Sequence, residues 1–597
     1  MDIFSVLGLI GGLALFLYGM DLMGDSLKKL AGGKLESILA RLTSARWKGF
    51  LLGLVVTAVI QSSSATTVML VGFVNSGIMK LGQTISIIMG ANVGTTVTSW
   101  LLSLADIQGT AILMKLLKPE SFTPVLAAIG VVMVMTAKTD QKRNTASILI
   151  GFSLLMFGME MMSSSVEGLR DNESFTNILI MFSNNPIMGI LVGTIFTAII
   201  QSSSASVGVL QALSISCIMP YSMVIPVILG QNIGTTITPI LSAINGNTES
   251  RRVAISCLYI KMIGVVVVCA VFYAVNAVVG FGFMDARATA FDIAVIHTLF
   301  NILSTVILMP FCSFIEKLAI QTFKGSKEEQ THDVFDTLDE RFLEMPSFAV
   351  EKCRELVCEM ATLSYETFTK AAGLLENYDP AIFAEVEEME SRADKYEDKT
   401  SSYLIKIAAS QMSSKNSKVV TELLHCIGDI ERISDHALNI AEAAKEIYDK
   451  KITFSQRAKE DIAVIIAATT EILERANSAL IHDDVSVAKT VEPLEQVIDV
   501  LKRKIKNGHI ARLRHGECTV ELGFILSDIL NNSERVSDHC SNIAVCVIEI
   551  SNGSFETHEY LQSVKAGGEK EYSDLYDAYA AKYSLPEMVT VQESDEN

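Results

Sequence analysis

The sequence predicts an all-α protein in two parts, a polytopic membrane region followed by a water-soluble helical bundle. Three observations lead there. The chain has 597 residues, 50% of them hydrophobic, with a mean hydropathy of +0.38, too long for one core and too apolar for an ordinary soluble protein. Its charge is split: residues 1–320 carry +3 and the rest −22, for −19 in all. Each part is also internally duplicated.

A bilayer-crossing helix needs about 20 mostly apolar residues. Stretches 3–23, 83–104, 122–137, 145–165, 222–244, 253–281 and 291–315 qualify. The opening MDIFSVLGLIGGLALFLYGM lacks a basic n-region and an A-x-A site, so it reads as a retained span and not a signal peptide. Stretches 49–79 and 187–219 are long enough to cross, yet QSSS interrupts each at its middle. Basic residues gather in the connections: Lys28, Lys29, Lys34, Arg41, Arg46 and Lys48, then Lys138, Lys142 and Arg143, then Arg251 and Arg252. The positive-inside tendency puts several of these on the cytoplasmic side. The ten Cys are scattered without a C-x-x-C pair, which fits reduced, packed thiols.

KGSKEEQTHD (324–333) ends the apolar region. Beyond it, apolar residues recur at helical spacing in stretches such as FAVEKCRELVCEMATLSYETFTKAA, with few Gly or Pro, as in a helical bundle. The closing VQESDEN is expected to be disordered. The acidic surface repels nucleic acid and can attract metal cations.

The membrane duplication is the most informative feature. Aligned without gaps at an offset of 140, residues 49–98 and 189–238 agree at 23 of 50 positions. GFLLGLVVTAVIQSSSA faces GILVGTIFTAIIQSSSA, GANVGTTVT faces GQNIGTTIT, and LFLYGMD (15–21) faces LLMFGME (154–160). Polar groups at membrane depth are tolerated only against protein or a water-filled cavity. Duplicated apolar segments broken in the middle point to a transporter's substrate site. Helix N-termini exposed by a break suit an anion, while hydroxyls, amide oxygens and unwound carbonyls suit Na+. No Lys or Arg sits within the QSSS or G-x-N-x-G-T-T-x-T segments, so an oxyanion there would take its compensating charge from sodium. Small residues alone could serve close helix packing, which is the better reading for Gly49/Gly53 and Gly189/Gly193. It does not explain a Gln before three Ser in both copies.

The paired QSSSA segments with their G-x-N-x-G-T-T-x-T partners resemble the bacterial type II sodium/phosphate cotransporter family over about residues 1–315. The resemblance implies inverted repeats with re-entrant hairpins, inorganic phosphate bound between the QSSS runs, and co-transported Na+. By position it assigns phosphate to Gln61, Ser62, Ser63, Ser64, Gln201, Ser202, Ser203 and Ser204. It assigns sodium to Asn92, Thr95, Thr98, Gln231, Asn232, Thr235 and Thr238. Asp21 and Glu160 correspond in the two repeats, and His297 and Asn301 fall in the last span. An ionisable group in a span is a functional candidate, but a carboxylate near a helix end is cheap, so these stay outside the site.

The acidic half repeats at an offset of 103 to 105: IERISDHALNIAE (430–442) faces SERVSDHCSNIAV (533–545). Within its matched repeat segments lie four E-x-x-x-D pairs, Glu390/Asp394, Glu431/Asp435, Glu495/Asp499 and Glu534/Asp538. An i,i+4 spacing puts like charges on one helix face, so a bound cation is expected to offset the repulsion, against the alternative of a solvated acidic face. DIERISDHALNIAE resembles the signature of PhoU, a phosphate-signalling regulator. Over residues 345–560 that resemblance implies two three-helix repeats with divalent or iron ions on the E-x-x-x-D pairs. The second copy departs from it with Asn532 where the first has Asp429, and His436 and His539 are expected to hydrogen-bond and not to ligate.

The expected organisation is repeat 1 over 1–138, repeat 2 over 139–315, a linker over 316–340, a cytoplasmic PhoU-like domain over 341–565 and a tail over 566–597. The expected protein is no enzyme but a multi-pass cell-membrane sodium/phosphate symporter working by alternating access. Its PhoU-like domain would regulate it, and a phosphate-signalling protein is a candidate partner. A phosphate sensor or an exporter would share the motifs. An ATP-driven pump is disfavoured, since no G-x-x-x-x-G-K-[ST] loop occurs.

Overall fold

The computed structural model describes residues 3–31, 45–106, 118–167, 185–324, 333–552 and 570–585, apart from positions 218, 411 and 517. Lys34, Arg41, most of 324–333 and the final VQESDEN lie outside the described residues. The chain divides into two compact units, Met1–Phe348 and Ala349–Asn597, and every named element is helical.

In the first unit, α1 (Ile3–Ala31) is followed by a broken pair, α2 (Arg46–Ile60) and α3 (Ser63–Asn75), then α4 (Leu81–Gly94) and α5 (Thr96–Ser103). After α6 (Pro119–Thr136) the order repeats: α7 (Asp140–Val166), the broken pair α8 (Pro186–Ile200) and α9 (Ser203–Ser216), then α10 (Tyr221–Gly234) and α11 (Ile237–Ser242). Helices α12 (Thr248–Val279), α13 (Ala290–Leu308) and α14 (Cys312–Thr322) complete it. Among the described residues six helical stretches are long and apolar enough to cross a membrane. The span expected at 83–104 is present as Leu81–Asp106, with one irregular residue, Thr95, whose backbone stays helical at φ −60° and ψ −27°, and Tyr221–Ser242 runs likewise through GQNIGTTIT. One difference from expectation stands out. The apolar part of α6, Ser121–Thr136, is shorter than a full crossing.

Large apolar side chains face outward, Val278 at 87% and Met135 at 81% exposure, while Thr57, Ser99, Thr197 and Ser206 are fully buried. That inversion of the soluble pattern suits a lipid surround with a polar interior. The repeats are related by a two-fold exchange, visible where α1 crosses α7. A Cβ on Gly12 would lie 2.9 Å from the Gly158 carbonyl oxygen, and one on Gly19 would lie 2.6 Å from that of Gly151. Gly151 is the counterpart of Gly12, and Gly158 that of Gly19. The contact therefore maps onto itself with the two helices antiparallel, which is the signature of an inverted repeat. Gly53 against Ile87 and Gly193 against Val227 bring α2 onto α4 and α8 onto α10 in the same way.

The end of the segment expected as a linker, 316–340, and the first residues expected in the PhoU-like domain, 341–348, fall in the first unit. Phe342 is fully buried between Phe73 and Phe348, with centroids at 5.4 and 4.9 Å. Asp339 accepts from Asn75 Nδ2 at 2.7 Å and pairs with Arg341 at 3.2 Å. Asn75 Oδ1 in turn accepts from the Asn247 amide at 3.0 Å and from the Ser250 hydroxyl at 2.9 Å. This clasp ties the end of α3 to the start of α12.

The second unit is built from α15 (Pro346–Glu376), α16 (Pro380–Ala408) and α17 (Ser414–Lys450), then α18 (Gln456–His482), the short α19 (Val485–Ala488), α20 (Val491–Arg514) and α21 (Val520–Asn552). These make the two three-helix repeats. The region expected as a tail contains α22 (Lys570–Lys582), whose end docks on Glu471: Lys582 Nζ lies 2.6 Å away, and the Tyr583 hydroxyl donates to the same carboxylate.

Burial raises the Glu471 pKa, but donation from Lys582, Tyr583 and Arg475 outweighs it and brings the group to about 2. A depressed carboxylate stabilises above its unfolded value and loses that contribution as pH falls. Glu471→Gln should therefore speed hydrogen exchange of amides 570–582 at neutral pH, and the wild-type helix should loosen between about pH 4.5 and pH 2. Phe342→Ala removes a fully buried ring and should cost about 3–5 kcal/mol, read as a lower unfolding temperature of the first unit.

Candidate functional site

Each QSSS is a helix break of the same form. Helix α2 ends as the Gln61 amide bonds to Thr57 O at 2.7 Å, with Gln61 in the left-handed region at φ 59°; Gln201 repeats this at φ 60° on Thr197 O. Ser62 and Ser202 then cap the next helices, accepting from the Ala65 and Ala205 amides at 3.1 and 3.2 Å. The left-handed region disfavours a residue with a Cβ by about 1 kcal/mol or more, and Gly would occupy it freely. Keeping Gln there twice argues that its amide side chain is needed.

Hydroxyl pairs hold each break shut. Thr57 Oγ1 donates to Thr66 Oγ1 at 3.0 Å, and Thr197 Oγ1 to Ser206 Oγ at 2.7 Å. The two tips meet: Ser64 Oγ reaches the Gln201 carbonyl at 3.5 Å. Ser63, Ser203 and Ser204 are buried at the first turns of α3 and α9, where helix N–H groups are free and the dipole is positive. Gln61 is buried and Gln201 exposed, so the two tips are not equally covered.

The expected sodium residues divide into two kinds. Thr95 and Thr235 are turned into their own helices, donating to Ala91 O at 3.0 Å and Asn232 O at 2.8 Å. By contrast Thr98 Oγ1 and its counterpart Thr238 Oγ1 are buried without a hydrogen-bond partner, as are Gln61 Oε1 and Gln231 Oε1. Leaving a buried polar atom unsatisfied costs about 1–3 kcal/mol, so four such oxygens at motif positions mark a place for a ligand. Asn92 and Asn232 line one small cavity together with Asn301, Ser304, Thr305 and Lys261. The last four were absent from the expected site. A lone Lys and Asn inside apolar spans were the available signal for two of them. His297 instead bonds Ser99 Oγ at 2.9 Å, and Asp21 and Glu160 are exposed.

In the second unit Glu495, Asp499 and Asp538 place carboxylate oxygens within 4.8 Å of one another. Glu534 is drawn instead to Lys502. In the other repeat Glu390, Asp394, Glu431 and Asp435 gather; burial and then Asp435 raise the Glu431 pKa to about 7. Asp538 is raised likewise by burial, Glu534 and Asp499. The histidines reach across the repeats. His539 Nδ1 bonds Asp429 Oδ1 at 2.7 Å, and His436 Nδ1 bonds Asn532 Oδ1 at 2.8 Å. The Asp429/Asn532 difference thus falls in a hydrogen-bonding pair outside the carboxylate sets.

An inverted helical duplication whose broken hairpins meet at polar tips is the architecture of a secondary membrane transporter. Residues 15–164 and 154–286 match the Na+/Pi-cotransporter family, and residues 357–444 and 463–547 match the PhoU domain. The chain thus carries a Na+/Pi-cotransporter family region followed by a C-terminal PhoU domain, the make-up of a phosphate transporter. It is 21% identical over 93% of its length, and all of the relative's, to YjbB of Salmonella typhimurium, named as a proposed inorganic phosphate export protein. PhoU homolog 1 of Thermotoga maritima, a phosphate-specific transport system accessory protein, is 28% identical over 36% of this chain and 91% of its own. The sodium-dependent phosphate transport protein 2A of Rattus norvegicus is 26% identical over 31% of this chain and 29% of its own.

Proposed function

We propose that this chain couples phosphate movement to sodium, with the oxyanion held between the opposed QSSS tips and Na+ taken by neutral oxygens beside them. The contact of Ser64 with Gln201 carries the reading, because it brings the starts of α3 and α9 to one place. Two helix N-termini with serine hydroxyls suit a tetrahedral oxyanion. The unpartnered oxygens of Gln61, Thr98, Gln231 and Thr238 are hard neutral donors of the kind Na+ accepts. Alternating access would move the inverted repeats about these tips.

The second unit is proposed to lie in the cytoplasm. Arg46 bonds Ser313 at 2.7 Å and Arg252 bonds the Phe323 carbonyl at 2.8 Å, so basic residues surround the point where the chain leaves the membrane region. Positive ends face the cytoplasm. There the carboxylate sets would hold divalent or iron ions, which lowers the repulsion among them, and would tune transport to phosphate status. Export is the second reading, favoured by the full-length likeness to YjbB. Direction follows from gradients, so the same site serves both.

Labelled phosphate flux in proteoliposomes should follow an imposed sodium gradient and fall at least tenfold in Ser63→Ala with Ser203→Ala. Flux indifferent to sodium sinks the coupling, and an outward bias in cells supports export. Metal analysis after Glu495→Gln with Asp499→Asn should show at least half the bound metal lost; unchanged content leaves only a solvated acidic face.

A further inference from the structure

Helix α12 carries a lysine at its buried face. Lys261 is 7% exposed, in a helix that is otherwise apolar from Met262 to Phe272. The titratable groups that face it are Cys257, one turn earlier, and His297 of α13; among the described residues no carboxylate pairs with it. A lone ammonium in a membrane interior is expensive unless oxygen dipoles surround it.

Such dipoles are present. Lys261 borders a cavity of about 10 Å³, room for one water or one bare monovalent ion. Asn92 and Asn232 line it, and they are counterparts in the two G-x-N-x-G-T-T motifs, so the cavity lies where the repeats meet. Asn232 gives its amide NH2 to Ile228 O at 3.2 Å, and Asn301 gives its own to His297 O at 2.8 Å, so neither bond uses the amide oxygen. Ser304 Oγ, also in the lining, is buried without a partner. The cage is rich in oxygen and free of carboxylate, and the cation beside it belongs to the chain. It also connects to the anion site. Cys257 hydrogen-bonds Thr67 of α3, whose hydroxyl donates to Ser63 O at 2.8 Å.

We propose that the Lys261 ammonium is a tethered cation that takes the place of one sodium ion in the Asn92–Asn232–Asn301 cage. It supplies a positive charge toward the bound oxyanion and keeps sodium out of that cage, leaving Thr98, Thr238, Gln61 and Gln231 to the mobile ions. The role toward the anion rests on the phosphate-transport reading; the exclusion of sodium does not.

Thermal unfolding of the purified full-length protein with sodium chloride against choline chloride, without phosphate, tests the cage directly. Sodium should raise the unfolding temperature of Lys261→Gln, and of the close-volume Lys261→Met, by several degrees more than that of wild type. Lys261→Arg should behave as wild type, and adding Asn301→Leu to Lys261→Gln should erase the increment. Equal sodium responses in wild type, Lys261→Gln and Lys261→Met would overturn the proposal. In proteoliposomes the Hill slope of phosphate flux against sodium should rise by about one in Lys261→Gln, and an unchanged slope would count against it equally. Wild-type protein without phosphate flux would defeat the transport reading while the unfolding comparison still decides the cage.

Discussion

The structure depends on one constraint: a chain that interrupts its helices inside lipid must hide the interruption from lipid. Each QSSS frees backbone groups that water would normally satisfy, and hydrocarbon cannot. The protein meets this by duplication. The same break occurs twice, in opposite senses, so each tip covers part of the other, as Ser64 does at Gln201. Hydroxyl pairs such as Thr57–Thr66 and Thr197–Ser206 close the remaining gap locally. The glycine crossing of α1 and α7 then fixes the two-fold relation that makes the tips meet. Around this polar centre apolar side chains face both ways, outward as at Val278 and inward where Phe16, Leu102, Leu155 and Met159 pack together.

The two units handle charge in opposite ways. The membrane interior is built from neutral oxygens, with Lys261 as its buried ammonium and no carboxylate beside it. The second unit gathers carboxylates instead, and burial together with the charge of Asp435 lifts the Glu431 pKa to about 7. Neutral oxygen dipoles attract a cation weakly, whereas grouped carboxylates attract one strongly. The two units therefore differ in the kind of ligand their polar clusters offer.

Much of this was legible in the sequence because it was written twice. The offset of 140 exposes the QSSS and G-x-N-x-G-T-T-x-T pairs, and the E-x-x-x-D pairs repeat in the same manner. What escaped occurs once. Lys261, Ser304 and Thr305 have no role in the motif alignment, and only three-dimensional packing brings them beside Asn92 and Asn232. The motif also cannot show which hydroxyls are spent on their own helix: Thr95 and Thr235 bond backward, whereas Thr98 and Thr238 are left unpartnered.

The departures from symmetry carry meaning of their own, because a perfect two-fold would make both faces of the transporter alike. Asn75, at the end of α3, is held by Asp339, Asn247 and Ser250; its counterpart by the 140 offset is Ile215, which can make none of these bonds. Phe342 fills the space over Gly72, where a Cβ would come within 2.8 Å of its ring, while the matching position 212 is alanine. The first hairpin is thus anchored to the segment that leads out of the membrane unit. The second hairpin lacks these particular anchors and leaves Gln201 exposed where Gln61 is buried. Two hairpins with the same chemistry but unequal bracing have unequal freedom to move. The clasp bonds at Asn75 therefore brace the hairpin that starts at Ser63 and have no equivalent at Ile215 in the hairpin that starts at Ser203.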